Sequence, residues 1–250
     1  MNNAFEFLHN KDIFFINSEN RVSGTASDFT YLLEIDPNKE YTHTSLISCS
    51  IPKTFYSIQE NYNTFILVEN SVETTITMPA GNYTRNSFAL VLKTKLNATS
   101  PNNWVYSITY PNIARTNDTG LYSFSVAGNT SQPSFQVGSY LNKQLGFAVD
   151  STQTFISNSL TSTCVSNLNP ENNLIIHSNI VGDRDARLKS ILSGGWNSFD
   201  HIVYENNNLI ATSKRMNISK NNIYSFTLTN TQGNIIDLNG NNFTFAILIF

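Results

Sequence analysis

Hydrophobic and polar residues alternate with period two along most of this 250-residue chain. Phe29, Tyr31, Leu33 and Ile35 alternate with Thr30, Leu32 and Glu34, and Ile47, Cys49 and Ile51 with Leu46, Ser48 and Ser50. The same alternation carries Val72, Thr74, Ile76 and Met78, then Trp104, Tyr106, Ile108 and Tyr110, then Tyr122, Phe124 and Val126, and finally Tyr224, Phe226 and Leu228. Each series predicts a strand with one face turned into a core. Shorter apolar runs at 13–16, 65–68, 174–176 and 202–204 predict further strands. The chain closes on 243–250, apolar on both faces from Ala246 onward. That pattern marks a central strand, or one covered by another subunit.

One stretch departs from period two. After Pro79-Ala80-Gly81-Asn82-Tyr83, the residues Phe88, Val91, Leu92 and Leu96 recur at helical spacing within 84–97. Thr84 or Asn86 is placed to cap this helix, and Lys93 and Lys95 suit its C-terminal dipole. A second short helix is predicted around 139–145. No linker or repeat divides the chain, and the polar stretches 111–120, 127–133 and 157–170 read as surface loops. The expectation is one all-β domain over 1–250 with few short helices, an antiparallel β-sandwich or barrel with residues 1–12 as an N-terminal arm.

Composition narrows the function. The chain holds 36 Asn, 28 Ser and 25 Thr, and only 13% of its residues are charged. Aromatic and β-branched residues exclude disorder, and the shortage of Ala, Glu and Lys excludes a helical bundle. A net charge of −3 gives no electrostatic footprint for nucleic acid. The N-terminus does not read as a signal peptide, and no run of 18 apolar residues predicts a membrane span. Six N-x-S/T triplets, at Asn82, Asn97, Asn117, Asn129, Asn217 and Asn242, carry little weight in so Asn-rich a chain.

Candidate chemistry is sparse. Cys49 and Cys164 could pair, but two free, buried thiols are the better reading, and no CxxC spacing occurs. His9, His43, His177 and His201 form no i, i+2 or i, i+4 metal pair. Ser198-Phe199-Asp200-His201 invites a triad reading, but triads are assembled from separated segments. Asp183 and Asp185 could hold a cation or simply pair with Arg187. Two basic groups, Arg184, Arg187 and Lys189 and then Lys214, Arg215 and Lys220, would meet a polyanion only if folded onto one face. Gly194-Gly195 reads as a turn, since no phosphate-loop motif occurs. Trp104 and Trp196 could stack on sugars, but Trp104 falls in phase with core residues, and Trp196, in a glycine-rich turn, is open to either reading. No catalytic, metal or cofactor residues are assigned, and an enzyme is not expected.

Several local groups, in order, resemble one family. They are Phe15-Ile16-Asn17-Ser18-Glu19-Asn20-Arg21 with Ser27-Asp28-Phe29, Ile51-Pro52-Lys53-Thr54-Phe55-Tyr56-Ser57-Ile58, and Met78-Pro79-Ala80-Gly81-Asn82-Tyr83-Thr84. Leu145-Gly146-Phe147 and Asn173-Leu174-Ile175-Ile176-His177-Ser178 follow. This order resembles the penton, or minor capsid, proteins of virophages and polinton-like DNA viruses. The resemblance covers about 15–180 and rests on order rather than on any one motif. It implies a single jelly roll, homopentamers at the fivefold vertices of an icosahedral capsid, and neighbouring trimers of a double jelly-roll major capsid protein. It implies a virion location and no enzyme activity. The chain is short for a family member with an outward insertion domain. The competing reading is a carbohydrate-binding β-sandwich for attachment to a host-surface glycan.

Overall fold

The computed structural model describes residues 11–60, 62–110, 119–168, 173–194 and 197–250. Strands β1 (Asp12–Asn17), β2 (Ser23–Gly24), β3 (Asp28–Leu32) and β4 (His43–Pro52) come first. Then follow β5 (Thr64–Glu69), β6 (Val72–Thr77), helix α1 (Arg85–Thr99), β7 (Val105–Thr109), β8 (Ser123–Ala127), β9 (Ser134–Val137), helix α2 (Asn142–Leu145), β10 (Ser151–Thr154) and β11 (Ser159–Thr161). The last are β12 (Asn173–Ser178), β13 (Arg187–Leu192), β14 (His201–Glu205), β15 (Lys214–Arg215), β16 (Ile223–Asn230) and β17 (Thr244–Ile249). Every alternating series is a strand; α2 lies within its predicted stretch, and α1 starts where expected but runs two residues past the predicted end, to Thr99. Thr84 caps α1 through a reciprocal bond with Ser87. The prediction missed β2, β9, β10, β11, β13 and β15, which are short, polar or irregular. Residues 1–10 of the expected arm lie outside the described residues, and Asp12 already belongs to a strand.

Where one domain over 1–250 was expected, two compact units are found: Met1–Phe55 with Glu171–Phe250, and Tyr56–Pro170. Each has its own apolar core. No linker marks the joints, because both units are equally rich in polar β-structure.

The first unit is a jelly roll. One sheet runs β1-β17-β4-β14 and the other β13-β12-β16-β3, with β15 and β2 as short additions. Eight longer strands are thus shared between two antiparallel sheets, the chain crossing from one to the other at every step except between β12 and β13, and the second unit is inserted between β4 and β12. Phe29, Phe226, Phe243 and Phe245 meet in the core, with ring centroids 5.0–5.9 Å apart. Strand β17 is paired on both sides, with β1 and with β4, which explains its two apolar faces.

Side chains of the quoted motifs pin the ends of these strands. Asn17 accepts from the Glu19 backbone N–H at 2.9 Å, and the Arg21 guanidinium donates to the Ser18 and Gly24 carbonyls at 2.8 and 3.0 Å. Gly24 sits at φ +97, and a Cβ there would lie 2.2 Å from the Asp28 carbonyl oxygen, so only glycine fits. Lys53, 4% exposed, donates to the Ser193 carbonyl at 3.3 Å, while Thr54 donates to the Leu238 carbonyl at 2.6 Å. Burial lowers the Lys53 pKa, and Asp200 partly opposes it.

At the start of β1, Asp12 accepts from Lys39 at 2.8 Å and from the buried Tyr41 hydroxyl. These two bonds, Lys39 first, hold the Asp12 carboxyl below its ordinary 3.8. Burial, then the bond to Asp12, pushes the Tyr41 hydroxyl above its usual range.

The second unit packs sheets β10-β9-β5-β6 and β11-β8-β7 with α1 around Phe65, Phe88, Tyr106, Tyr122, Phe124 and Phe135. Its polar centre is Glu69, fully buried at the end of β5. The carboxylate accepts from the hydroxyls of Ser100 at 2.7 Å and Tyr106 at 2.9 Å, and from both the backbone and side-chain N–H of Asn102 at 3.1 Å. It ties the end of α1 to β5 and β7. Burial, then this bond, drives the Tyr106 hydroxyl far above its ordinary pKa.

Two outcomes are expected. Glu69→Ala strands several buried donors and lowers stability by about 3 kcal/mol in chemical denaturation. Because the folded pKa of Asp12 is depressed, its contribution is complete above the ordinary carboxylate pKa and is lost as pH falls through the lowered one. The stability difference between the parent and Asp12→Asn is therefore constant from about pH 8 to 5 and shrinks below about pH 4.

Candidate functional site

The residues singled out in the sequence mostly serve structure. Asp200 accepts from the Asn197 backbone N–H at 3.1 Å, and His201 Nδ1 lies 3.0 Å from Ser50 Oγ on the neighbouring strand. Ser198, Asp200 and His201 thus assemble no triad. The Ser50–His201 pair was not foreseen, because cross-strand register is invisible in one strand's sequence. Asp185 pairs with Arg187 at 3.6 Å and Asp183 with Lys214 at 3.3 Å, in line with ion pairing rather than cation binding. The bond from Arg187's backbone N–H chiefly lowers the Asp185 pKa. Among the described residues no group of three His, Cys, Asp or Glu side chains gathers as a metal site.

The two basic segments do meet, since the Gly182 N–H donates to the Arg215 carbonyl at 2.8 Å, but Asp183 and Asp185 are interleaved with them. Lys189 instead lies 5.0 Å above the Tyr204 ring. His43 stacks on Phe250, and His177 bridges the Asp185 carbonyl and Thr229 Oγ1 at 3.2 and 3.1 Å. Cys49 is buried, Cys164 is exposed, and both are free thiols. Burial pushes the Cys49 thiol up to about 12, so it stays protonated. Trp104 is a core residue, whereas Trp196, His9 and Asn117 lie outside the described residues. Of the triplet asparagines, Asn82, Asn97, Asn129, Asn217 and Asn242 all use their side chains in internal hydrogen bonds.

The surface most unlike ordinary solvated sheet is the outer face of β1-β17-β4-β14. Antiparallel register sets side chains across it in rows. One row runs Asn17, Thr244, Ser50, Val203, and the next runs Phe15, Ala246, Ser48, Glu205. Small residues occupy the middle of both rows and larger ones the flanks. Just past these rows, a bulge between Ala246 and Ile247 leaves Ile47 as the extra residue on β4 and turns Leu46, rather than the expected Ile47, into the core. The result is an open trough of about 540 Å³. Its flanks are mixed: Phe15, 80% exposed, and Val203, 50% exposed, are apolar, whereas Asn17 and Glu205 are polar. Glu205 is the charged residue in its lining. A fully hydrated phenyl ring on an edge strand marks a contact surface. The sequence showed Phe15 only as one member of an apolar run, with nothing to say it faces outward.

The outer face of the opposite sheet has different chemistry. There Thr227 lies between His177 and Asp28, and Ser225 lies beside Thr30, which bonds Ser23 at 2.8 Å. Hydroxyls occupy its middle, with the exposed Leu32 and Leu192 toward its margins.

No family model matches the chain, and no curated protein matches it in sequence. Among solved structures, the chain is similar to the crystal structure of the selenomethionine-labelled mavirus penton protein, with a TM-score of 0.50 and 10% identity. The match covers 96% of this chain and 99% of that chain, so it extends over residues of both units. At that identity the likeness is one of fold, and the all-β, jelly-roll architecture is penton-like.

Proposed function

We propose that the chain is a structural subunit of a virion, a penton that forms homopentamers closing the fivefold vertices of an icosahedral DNA-virus capsid. The observation that carries this reading is the jelly roll with a second unit inserted between β4 and β12, together with a penton fold that matches almost end to end. The partners of this reading are further copies of the chain and, around the vertex, trimers of a double jelly-roll major capsid protein. No reaction is assigned.

The trough supports the same reading. A closed ring of five is built from head-to-tail contacts between two unlike patches. The two outer faces of the jelly roll are unlike, one a trough with Phe15 and Val203 on opposite sides and the other a face carrying Thr30, Ser225 and Thr227. In this reading the trough of one copy receives its neighbour, and Phe15 is the aromatic anchor of the seam.

The test is native mass spectrometry or sedimentation velocity at micromolar concentration, where a pentamer of five 28.0 kDa chains is expected. Phe15→Asp is expected to weaken association by about 30-fold, the equivalent of about 2 kcal/mol of lost aromatic burial. Its monomer should melt like the parent, because Phe15 is exposed in the isolated chain. A parent protein that stays monomeric, even with the major capsid protein present, would overturn the reading.

A further inference from the structure

The second unit carries a surface that the penton reading does not use. Sheet β10-β9-β5-β6 turns Phe65, Leu67, Phe135 and Val137 into its core, so the alternate residues face outward. Register then sets Thr75, Ile66, Gln136 and Thr152 in one row across all four strands. Beside this row, Thr64, Tyr140, Asp150 and Gln136 line an open depression of about 390 Å³. Tyr140 is 45% exposed and packs edge-on against Tyr62, with ring centroids 5.2 Å apart and planes at 72°. Gln136 Nε2 donates to Glu73 Oε1 at 3.1 Å, which holds the amide in place and leaves its carbonyl oxygen as an acceptor.

We infer that this depression binds a neutral, hydroxyl-rich glycan. An aromatic ring held by a second ring offers a rigid platform for the apolar face of a sugar. Around it stand a carboxylate, an amide oxygen and two threonine hydroxyls, the donors and acceptors that sugar hydroxyls pair with. The charge pattern selects against anionic ligands: Asp150 and Glu73 are acidic, and β5, β6, β9 and β10 contain no Lys or Arg. An extended peptide would add to a sheet edge through main-chain bonds, not lie across a hydroxyl-lined face. A protein partner would look for an apolar anchor, and Ile66, the apolar residue of the row, is half-buried between its neighbours.

The experiment is a glycan array with the whole protein, presenting neutral oligosaccharides of galactose, mannose and N-acetylglucosamine beside sialylated and sulfated ones. Each neutral hit is then titrated calorimetrically against the parent, Tyr140→Ala and Gln136→Ala. Selective binding of neutral probes is expected, about tenfold weaker in either variant, with unchanged melting because both positions are at the surface. Thr152→Tyr, which fills the depression, is expected to block binding as well. Silence of all neutral probes, binding confined to anionic ones, or undiminished affinity in the three variants would each refute the site. These readouts are independent of oligomeric state, so failure here leaves the penton reading standing, and failure of the pentamer leaves this one.

Discussion

Strand β17 has to lie between β1 and β4, and the rest of the first unit depends on that placement. It is the last strand of the chain, and it pairs with the first and with the one before the insertion. Its inner residues Phe245, Ile247 and Ile249 close the core, and its outer residues Thr244 and Ala246 floor the trough. Packing and surface chemistry are therefore written on opposite faces of one strand. The pairing joins Asp12–Asn17 to Thr244–Ile249, so the jelly roll cannot close until β17 has been made. Such non-local pairing is slow to form. The inserted unit has no such requirement, because it is made from one continuous stretch of chain.

The two surfaces singled out arise from the same rule applied twice. Register decides which residues share a row, and the sizes along the row decide its relief. On the jelly roll, Ala246 and Ser48 sit between Phe15 and Glu205, and Thr244 and Ser50 between Asn17 and Val203, so the face is hollow with one large apolar side chain at the end of each row. On the inserted unit, threonine and glutamine surround one half-buried isoleucine, and the face is hydroxyl-lined with a tyrosine pair at the depression. The first chemistry suits burial against protein, the second a solvated polar ligand.

What the sequence disclosed follows from the same division. Inner faces are legible, because burial imposes period two on residues such as Phe29, Ile76 and Tyr224, and the helix shows itself through Phe88, Leu92 and Leu96. Strand β10, reading Ser-Thr-Gln-Thr, has no apolar alternation and looks like loop. Strand β13 loses its alternation opposite a register shift at Ile176 and His177. Outer faces are not legible at all: Phe15 and Ile16 are equally apolar, yet one is 80% and the other 1% exposed. The insertion was invisible because nothing in composition changes at Phe55 or Pro170. Although Asn173–Ser178 is strand β12 itself, the resemblance was legible because most of its motifs reach into turns, where backbone geometry restricts the residue. Gly146 is one case: it ends α2 at φ +76 with room for no Cβ, which would lie 2.4 Å from the Cys164 carbonyl oxygen.

Those turns also account for the abundance of asparagine. Asn70, Asn103, Asn158, Asn222 and Asn239 all hold left-handed backbone at φ between 47 and 63. Asparagine tolerates that conformation better than other residues with a Cβ. Asn206, Asn221 and Asn230 accept from backbone N–H groups two residues on, turning the chain without help from a sheet. The polar residues that make this chain poor in charge are thus largely spent on shaping loops. A surface left for recognition must come from elsewhere, from side chains that a sheet holds at fixed spacing. The trough and the tyrosine-rimmed depression both meet that condition. Neither relies on pairing opposite charges, so contacts at both should respond weakly to salt and strongly to the shape of single residues.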